Sequence, residues 1–91
     1  MKYSRNINVK KYSSVEEIYD SVNNDPKRPG FQIVYLDRGG TSPLTSKWIR
    51  YLNQNGIYDV TVKHPTIGRE AYTALIIEAT PEQATALKIC F

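Results

Sequence analysis

The clearest pattern along the chain lies between Phe31 and Gly56, where an apolar run is followed by a glycine turn and a stretch with helical periodicity. In the run FQIVYLD, both alternating sets of positions are largely apolar, which is typical of a central strand covered on both faces. The RGG that follows breaks the strand, because glycine adopts backbone angles that other residues avoid. This stretch therefore predicts a strand, a turn and an amphipathic helix.

The predicted helix has a start signal, an end signal and two distinct faces. Ser42 fits an N-cap with Pro43 at the first helical position, and Gly56 fits a C-terminal cap. The inward face is predicted from apolar residues at helical spacing, which are Leu44, Trp48, Tyr51 and Leu52. Lys47 and Arg50 fall on the opposite face. The two aromatic residues of the inward face are therefore interpreted as core residues.

Five further elements follow from alternation, capping residues and turn residues. Two overlapping capping boxes in SSVEE start a helix that ends by residues 23–26. A third capping box in TPEQ, with proline at the first helical position, starts a helix that runs to about residue 89. Strands are predicted over residues 2–9, 58–63 and 70–79. For residues 70–79 a helix is the alternative, because Glu and Ala are poor strand formers, and the strand is preferred because a hairpin turn precedes it and a helix start follows it. The segment His64–Gly68 is predicted as the turn of an antiparallel hairpin.

This element order predicts a small single α+β domain over residues 1–91, in the order β-α-β-α-β-β-α. From residue 31 onward, the order β-α-β-β-α matches a ferredoxin-like split β-α-β unit that lacks its last strand. The N-terminal strand is a candidate for that vacant place, as in a circular permutation. We therefore expect helices packed on one small sheet, with a permuted ferredoxin-like arrangement as one possible form.

Composition and charge narrow the classes of partner. The chain has 91 residues, of which 41% are hydrophobic, enough for one ordinary globular core. The formal charge is +3, and basic residues concentrate in residues 1–12 and 31–69, whereas residues 70–91 are net acidic. This uneven distribution favours an anionic partner for one side of the molecule. Seven tyrosines add rings that either fill a core or stack on unpaired bases.

From this sequence we expect neither export nor membrane insertion. Its single cysteine, Cys90, excludes an internal disulfide and suits a reducing compartment. The N-terminal MKYSRNINVKKY lacks the apolar segment of a signal peptide, and no apolar run approaches the ~20 residues of a membrane span. We therefore expect a cytoplasmic protein.

No motif in the sequence specifies a reaction, so we do not expect an enzyme, a cofactor or a metal. The turn over residues 38–42 precedes a helix N-terminus that suits a phosphate, but it lacks the spacing of a Walker or dinucleotide loop, and a plain capped turn is the simpler interpretation. His64 is the single histidine, so it builds no metal cluster with Cys90. The one catalytic alternative is a metal-independent ribonuclease with His64 as acid or base beside Lys63 and Arg69.

Eight basic residues form the predicted nucleic-acid-binding set. They are Lys27, Arg28, Arg38, Lys47, Arg50, Lys63, His64 and Arg69. We expect the first five to share one surface and the three hairpin residues to form a second. Charge reversal of Lys47 and Arg50 is expected to weaken RNA binding by at least about tenfold, because each lost cation removes about one phosphate contact. The alternative is an ordinary solvated surface with nine acids interspersed.

In length and in its richness in Asn, Lys and Tyr, the chain resembles the small accessory proteins of T4-like phages. The resemblance carries no motif and transfers no functional residue. It implies a factor that binds host nucleic acid or blocks a host defence or toxin system, in the host cytoplasm. Our leading hypothesis is a small basic regulator or inhibitor that binds nucleic acid, RNA in preference to DNA. The alternative is a protein-binding inhibitor or antitoxin-like factor that docks on a host protein.

A homodimer is also expected from the pattern. Two of the predicted strands are apolar on both faces. In a chain of this size, we expect three helices to be too few to cover both faces of the sheet, so that a second copy covers the remainder.

Overall fold

The computed structural model describes residues 11–39 and 43–91, which form three helices and one mixed sheet. In chain order the elements are β1 (Lys11–Tyr12), α1 (Val15–Asn23), β2 (Phe31–Arg38), α2 (Pro43–Gln54), β3 (Thr61–Lys63), β4 (Thr66–Ile67), β5 (Glu70–Glu78) and α3 (Pro81–Cys90). The predicted α+β class is confirmed, and the predicted order holds from α1 onward, with one hairpin strand divided in two. The predicted strand over residues 2–9 and the predicted N-cap Ser42 lie outside the described residues.

The strand β5 is the centre of the sheet. It pairs antiparallel with β2 on one side and with β3 and β4 on the other, and β1 pairs parallel with β4 at the far edge. Since β2 and β3 both run against β5, they run parallel to each other, and α2 connects them as a split β-α-β unit. The last strand of a ferredoxin-like sheet lies beside the strand equivalent to β2. Residues 11–12 lie at the opposite edge and do not take that place.

Both faces of β5 are covered by helices of the same chain. On one face, Ile76 packs with Ile18 of α1 and Ile33 of β2. The cluster on the other face joins the sheet to α2 and α3 and comprises Val34, Tyr35, Trp48, Leu52, Leu75, Ile77 and Ala84. The sheet is therefore a middle layer between α1 and the pair α2 and α3. An uncovered face of the central strand, which was the reason to expect a dimer, is not present.

A β-bulge at Val34 decides which side chains of β2 face which helix. The register with β5 shifts between Ile33 and Tyr35, so Val34 is the extra residue. Val34 and Tyr35 consequently both face α2 and α3, whereas Ile33 and Leu36 face α1. The strict alternation that placed Tyr35 on the face of Ile33 is therefore wrong.

The strands β3 and β4 are one hairpin arm with an interruption. Lys63 lies opposite Ala74 and Thr66 lies opposite Ala71, so the register with β5 is continuous across the gap. Pro65 lies in the gap and has no N–H to donate to a neighbouring strand. The antiparallel hairpin that the sequence predicts is thus confirmed, although one arm is divided.

The turn of the hairpin is tighter than predicted. The chain reverses at Gly68 and Arg69, and the φ of +62° at Gly68 is what the first position of a type II′ turn requires. The segment His64–Gly68 is therefore not the turn, because β4 occupies part of it. The predicted start of this arm was also too early, since Tyr58 lies before β3 with its side chain 75% exposed.

Local signals set the helix ends as the sequence predicts. Ser14 caps α1, where its hydroxyl accepts a hydrogen bond from Glu17 N at 3.3 Å. At α3, Thr80 and Gln83 form a reciprocal capping box. Gly56 follows α2 with a φ of +81°, the conformation of a helix C-terminal cap. No helix in the part of the chain that the structure describes is long and apolar enough to cross a bilayer.

The inward face of α2 differs from the prediction at its first turn. Trp48 and Leu52 are buried as expected, and Tyr51 is half-buried against them. Leu44 is exposed, and Thr45 is buried in its place. The helix is therefore rotated so that its apolar stripe begins only at the second turn.

Candidate nucleic-acid interface

The eight predicted basic residues do not form the two surfaces that the sequence suggested. Arg28 and Lys63 line one cleft between α1 and the sheet, and Lys27 belongs to the same loop as Arg28. The other five lie at the far end of the sheet or on its opposite face, and they are Arg38, Lys47, Arg50, His64 and Arg69. Arg28 and Lys63, which the sequence analysis assigns to different surfaces, therefore line the same cleft.

This α1-side cleft has a volume of about 200 Å³ and is built from segments that are distant in the sequence. Its lining comprises Tyr12, Ser21, Val22, Asp25, Arg28, Phe31, Lys63 and Ile76. The apolar side chains belong to the contact between α1 and the sheet. The polar side chains come from the end of α1, the loop that follows it and β3. The cleft therefore combines aromatic rings, two cations and one carboxylate.

The loop between α1 and β2 supports Arg28. The Asp25 Oδ1 accepts a hydrogen bond from Lys27 N at 2.9 Å, and the Asp25 carbonyl oxygen accepts one from Arg28 N at 3.2 Å. Gly30, with a φ of +87°, then leads the chain into β2. The guanidinium carbon of Arg28 lies 4.9 Å from the centroid of the Phe31 ring, which is a cation–π contact. This contact holds the cation beside the cleft.

Lys63 reaches the cleft because of its position in β3. It lies opposite Ala74, and successive side chains of a strand point to opposite faces of the sheet. The next residue, His64, is therefore on the other face, where its Nδ1 lies 3.5 Å from the hydroxyl of Thr73. Lys63 and His64 share no surface, so the expected hairpin patch of Lys63, His64 and Arg69 is not formed.

The cleft retains a net positive charge. Within the described residues, the ion pair that the structure shows joins Arg38 Nη1 to Glu70 Oε1 at 2.9 Å, and it involves neither Arg28 nor Lys63. Arg38 is at the other end of β2 from Phe31, roughly 20 Å from that part of the cleft at the ~3.3 Å rise of each strand residue. Asp25 is the one acid in the lining of the cleft. Two cations against one carboxylate leave an excess of positive charge there.

The outer face of α2 is a separate basic surface. Lys47 and Arg50 are exposed, as the helical spacing predicts. Because α2 packs on the face of the sheet opposite α1, these two cations lie away from the cleft. The glycine turn that was considered for phosphate binding includes residues 40–42, which lie outside the described residues.

Several members of the cleft were not singled out from the sequence. Tyr12 enters the lining through the pairing of β1 with β4, which no local pattern indicates. Ser21 and Asp25 lie at the end of α1, where capping and turn signals account for both residue types without any ligand. Only the tertiary arrangement brings them beside Lys63.

Comparison with known proteins assigns no family to this geometry. No protein-family model matches the chain, and searches of curated proteins and of solved structures find no match either. Any functional assignment therefore rests on the site itself.

Proposed function

We propose that this protein is a small RNA-binding regulator or inhibitor that holds RNA in the α1-side cleft. The observation that carries the proposal is the convergence of Arg28 and Lys63 on one cleft that is also lined by the rings of Tyr12 and Phe31. Lysine and arginine neutralise phosphates, and aromatic rings stack on unpaired bases. Cations and rings in one cleft are the combination that single-stranded nucleic-acid sites use.

The small volume of the cleft indicates that it holds one chemical group of a larger ligand. Its volume of about 200 Å³ is below the roughly 300–1,000 Å³ of pockets that enclose small molecules. A cleft of this size suits a single base or phosphate of a polymer whose remainder stays on the surface. RNA displays such groups in its loops, bulges and ends, whereas duplex DNA keeps its bases stacked and paired. This difference supports RNA over DNA.

A binding protein of this kind acts by covering its target. The resemblance in size and composition to phage accessory proteins supports a host defence or toxin system as its setting. In that role the protein blocks access to an RNA loop or end, and no chemical step is needed. His64, the acid or base of the catalytic alternative, has its Nδ1 3.5 Å from the buried hydroxyl of Thr73.

A matched pair of charge reversals tests the proposal. The variant R28E/K63E changes the cleft, and K47E/R50E changes the outer face of α2. Each lowers the formal charge by four, from +3 to −1, so any difference between them reflects position and not net charge. We expect the cleft variant to weaken binding to a single-stranded RNA by at least about tenfold and to lower the logarithmic salt slope by about 1.4, for two phosphate contacts at ~0.7 each.

The control variant separates this proposal from the surface that the sequence suggested. If the cleft carries the binding, K47E/R50E weakens it only through net charge and leaves the salt slope nearly unchanged. Loss of binding in K47E/R50E with retention in R28E/K63E would place the RNA on α2 instead. Equal weakening in both variants would show non-specific attraction. Thermal melting of both variants checks that the fold is intact.

A second candidate function is favoured by the outer face of α3. Ile89 is 78% exposed there, beside a shallow cavity of about 460 Å³ lined by Pro81, Glu82, Thr85 and Ala86. An exposed apolar patch of this kind suits a protein partner. We therefore retain a protein-binding inhibitor as the alternative, with a host protein as its target. An interaction of this kind would be insensitive to salt. Ile89→Lys would abolish it and leave RNA binding unchanged.

The expected homodimer could form through the same outer face of α3. Both faces of β5 are covered within one chain, so a dimer through the sheet face has lost its support. Light scattering over a range of concentrations tests the dimer directly. A mass that stays at one chain at high concentration contradicts it.

A further inference from the structure

We infer that the α1-side cleft takes one unpaired base, and that Asp25 selects bases with N–H donors on the edge they present, guanine above all. This inference rests on the proposed RNA-binding function and names the feature of the RNA that is read. The observation behind it is the presence of a carboxylate among the cations of the cleft.

The shape of the cleft requires an unpaired base. The apolar part of its lining lies between α1 and the sheet and includes Val22 and Ile76. A phosphate gains nothing from contact with these apolar side chains, whereas the flat face of a base is apolar enough to pack against them. A base inside a duplex reaches a recessed site only after it leaves the stack, which costs a few kcal/mol. Unpaired bases enter without that cost.

Arg28 is prepared for this contact before the ligand arrives. Its guanidinium carbon lies 4.9 Å from the centroid of the Phe31 ring, which restricts the side chain to one side of the cleft. A planar guanidinium stacks on aromatic rings and also bonds to phosphate oxygens. Because the side chain is already held, less rotamer freedom is lost on binding. Lys63 supplies a second cation for the backbone phosphate.

Asp25 is unfavourable in this cleft unless it accepts a hydrogen bond from the ligand. A carboxylate repels the phosphates that the two cations attract. Its Oδ1 accepts from Lys27 N at 2.9 Å, and within the described residues its Oδ2 accepts no hydrogen bond. Ser21 adds a second acceptor oxygen, since its hydroxyl donates to the carbonyl of Ile18 at 2.7 Å. The cleft thus offers acceptors to match donors on a base.

The donor patterns of the bases give the expected order of affinity. Guanine presents two adjacent N–H groups on one edge, which fit a carboxylate in a bidentate arrangement. Adenine and cytosine each carry one amino group, and carboxylates accept from the amino group of cytosine. Uracil has no amino group, and its single ring N–H lies between two carbonyl oxygens that a carboxylate repels. A bidentate contact to a base edge discriminates by at least about fivefold, so guanine should exceed uracil by that factor or more.

The test compares a short oligouridine with the same oligomer carrying one central guanosine, by fluorescence anisotropy. The wild-type protein should bind the guanosine oligomer at least about fivefold more tightly, and annealing to its complement should remove most of that binding. In Asp25→Asn, which keeps the turn-forming side-chain oxygen, we expect oligouridine to bind more tightly and the ratio to fall close to one. The control Asp20→Asn removes an equal charge from an exposed position on α1 and should leave the ratio unchanged.

Each outcome decides between distinct possibilities. If Asp25 only shapes its loop or only repels phosphate, Asp25→Asn shifts both affinities alike and the ratio stays as in the wild type. Such a result overturns the inference while RNA binding stands. Equal affinity of the wild type for both oligomers, or for the duplex, also overturns it. If neither oligomer binds at all, the proposed function fails together with the inference.

Discussion

The stacked rings between α2 and α3 give a prediction whose size follows from the structure. The ring of Phe91 lies parallel to that of Trp48, with centroids 4.0 Å apart and an interplanar angle of 15°, and it meets Tyr51 edge-on at 5.3 Å. The residue is 46% exposed, so about half of its side chain is removed from solvent. Phe91→Ala therefore removes a ring that covers Trp48 and Tyr51 between the two helices.

The expected cost follows from that half burial. Truncation of a fully buried phenylalanine costs roughly 3–5 kcal/mol, so a half-buried one should cost about 2 kcal/mol. In a domain of this size, each kcal/mol lowers the melting temperature by roughly 4–8 °C. Phe91→Ala should therefore melt about 8–16 °C below the wild type. Since Trp48 is the single tryptophan, its native emission should also shift to the red as one ring face meets water.

A control on α3, the helix that Phe91 follows, makes this prediction specific. Ile89 is 78% exposed, so Ile89→Ala should change the free energy of unfolding by no more than about 0.5 kcal/mol. Differential scanning fluorimetry and tryptophan emission spectra measure both variants. An unchanged melting temperature and unchanged emission in Phe91→Ala would refute the stack as a stabilising contact.

Two further predictions concern the bulge and one tyrosine. Deletion of Val34 should remove only the extra residue of the bulge, so the protein still melts cooperatively, with a loss of roughly 1.5–3 kcal/mol for one buried valine. Deletion of Ile76 exchanges the two faces of β5 on one side of the deleted position and should abolish cooperative melting by circular dichroism. Burial raises the pKa of Tyr19 above 10.0, so the unfolded chain loses this proton first as the pH rises and the free energy of unfolding falls above pH 10.0. Urea unfolding of Tyr19→Phe should show a smaller alkaline loss than the wild type, and equal losses would contradict this.

Local signals predicted the elements well because their causes are local. The caps at Ser14 and Thr80 act over three residues of chain, and the sequence contains the whole interaction. The bulge at Val34 was missed because period-two alternation has no place for an extra residue, and only the register with β5 reveals it. The rotation of α2 that buries Thr45 in place of Leu44 depends likewise on the surface against which the helix packs.

The candidate site was predictable in its residue types but not in its grouping. Arg28 and Lys63 were both expected to bind an anion, yet they were assigned to different surfaces, because a loop and a hairpin strand so distant in the sequence meet only through the sheet. The alternation of strand side chains separates Lys63 from His64 and was available from the sequence. Asp25 had a sufficient local role in its own turn, so nothing in the sequence indicated a second one.

The most direct test of the account is a titration of isotope-labelled protein with the guanosine-containing oligomer, followed by NMR amide shifts. The account predicts that the largest shifts cluster at the end of α1, in the following loop and in β3, which together surround the α1-side cleft. Shifts confined to the outer face of α2 or of α3, or the absence of any shift, would contradict an RNA site in this cleft.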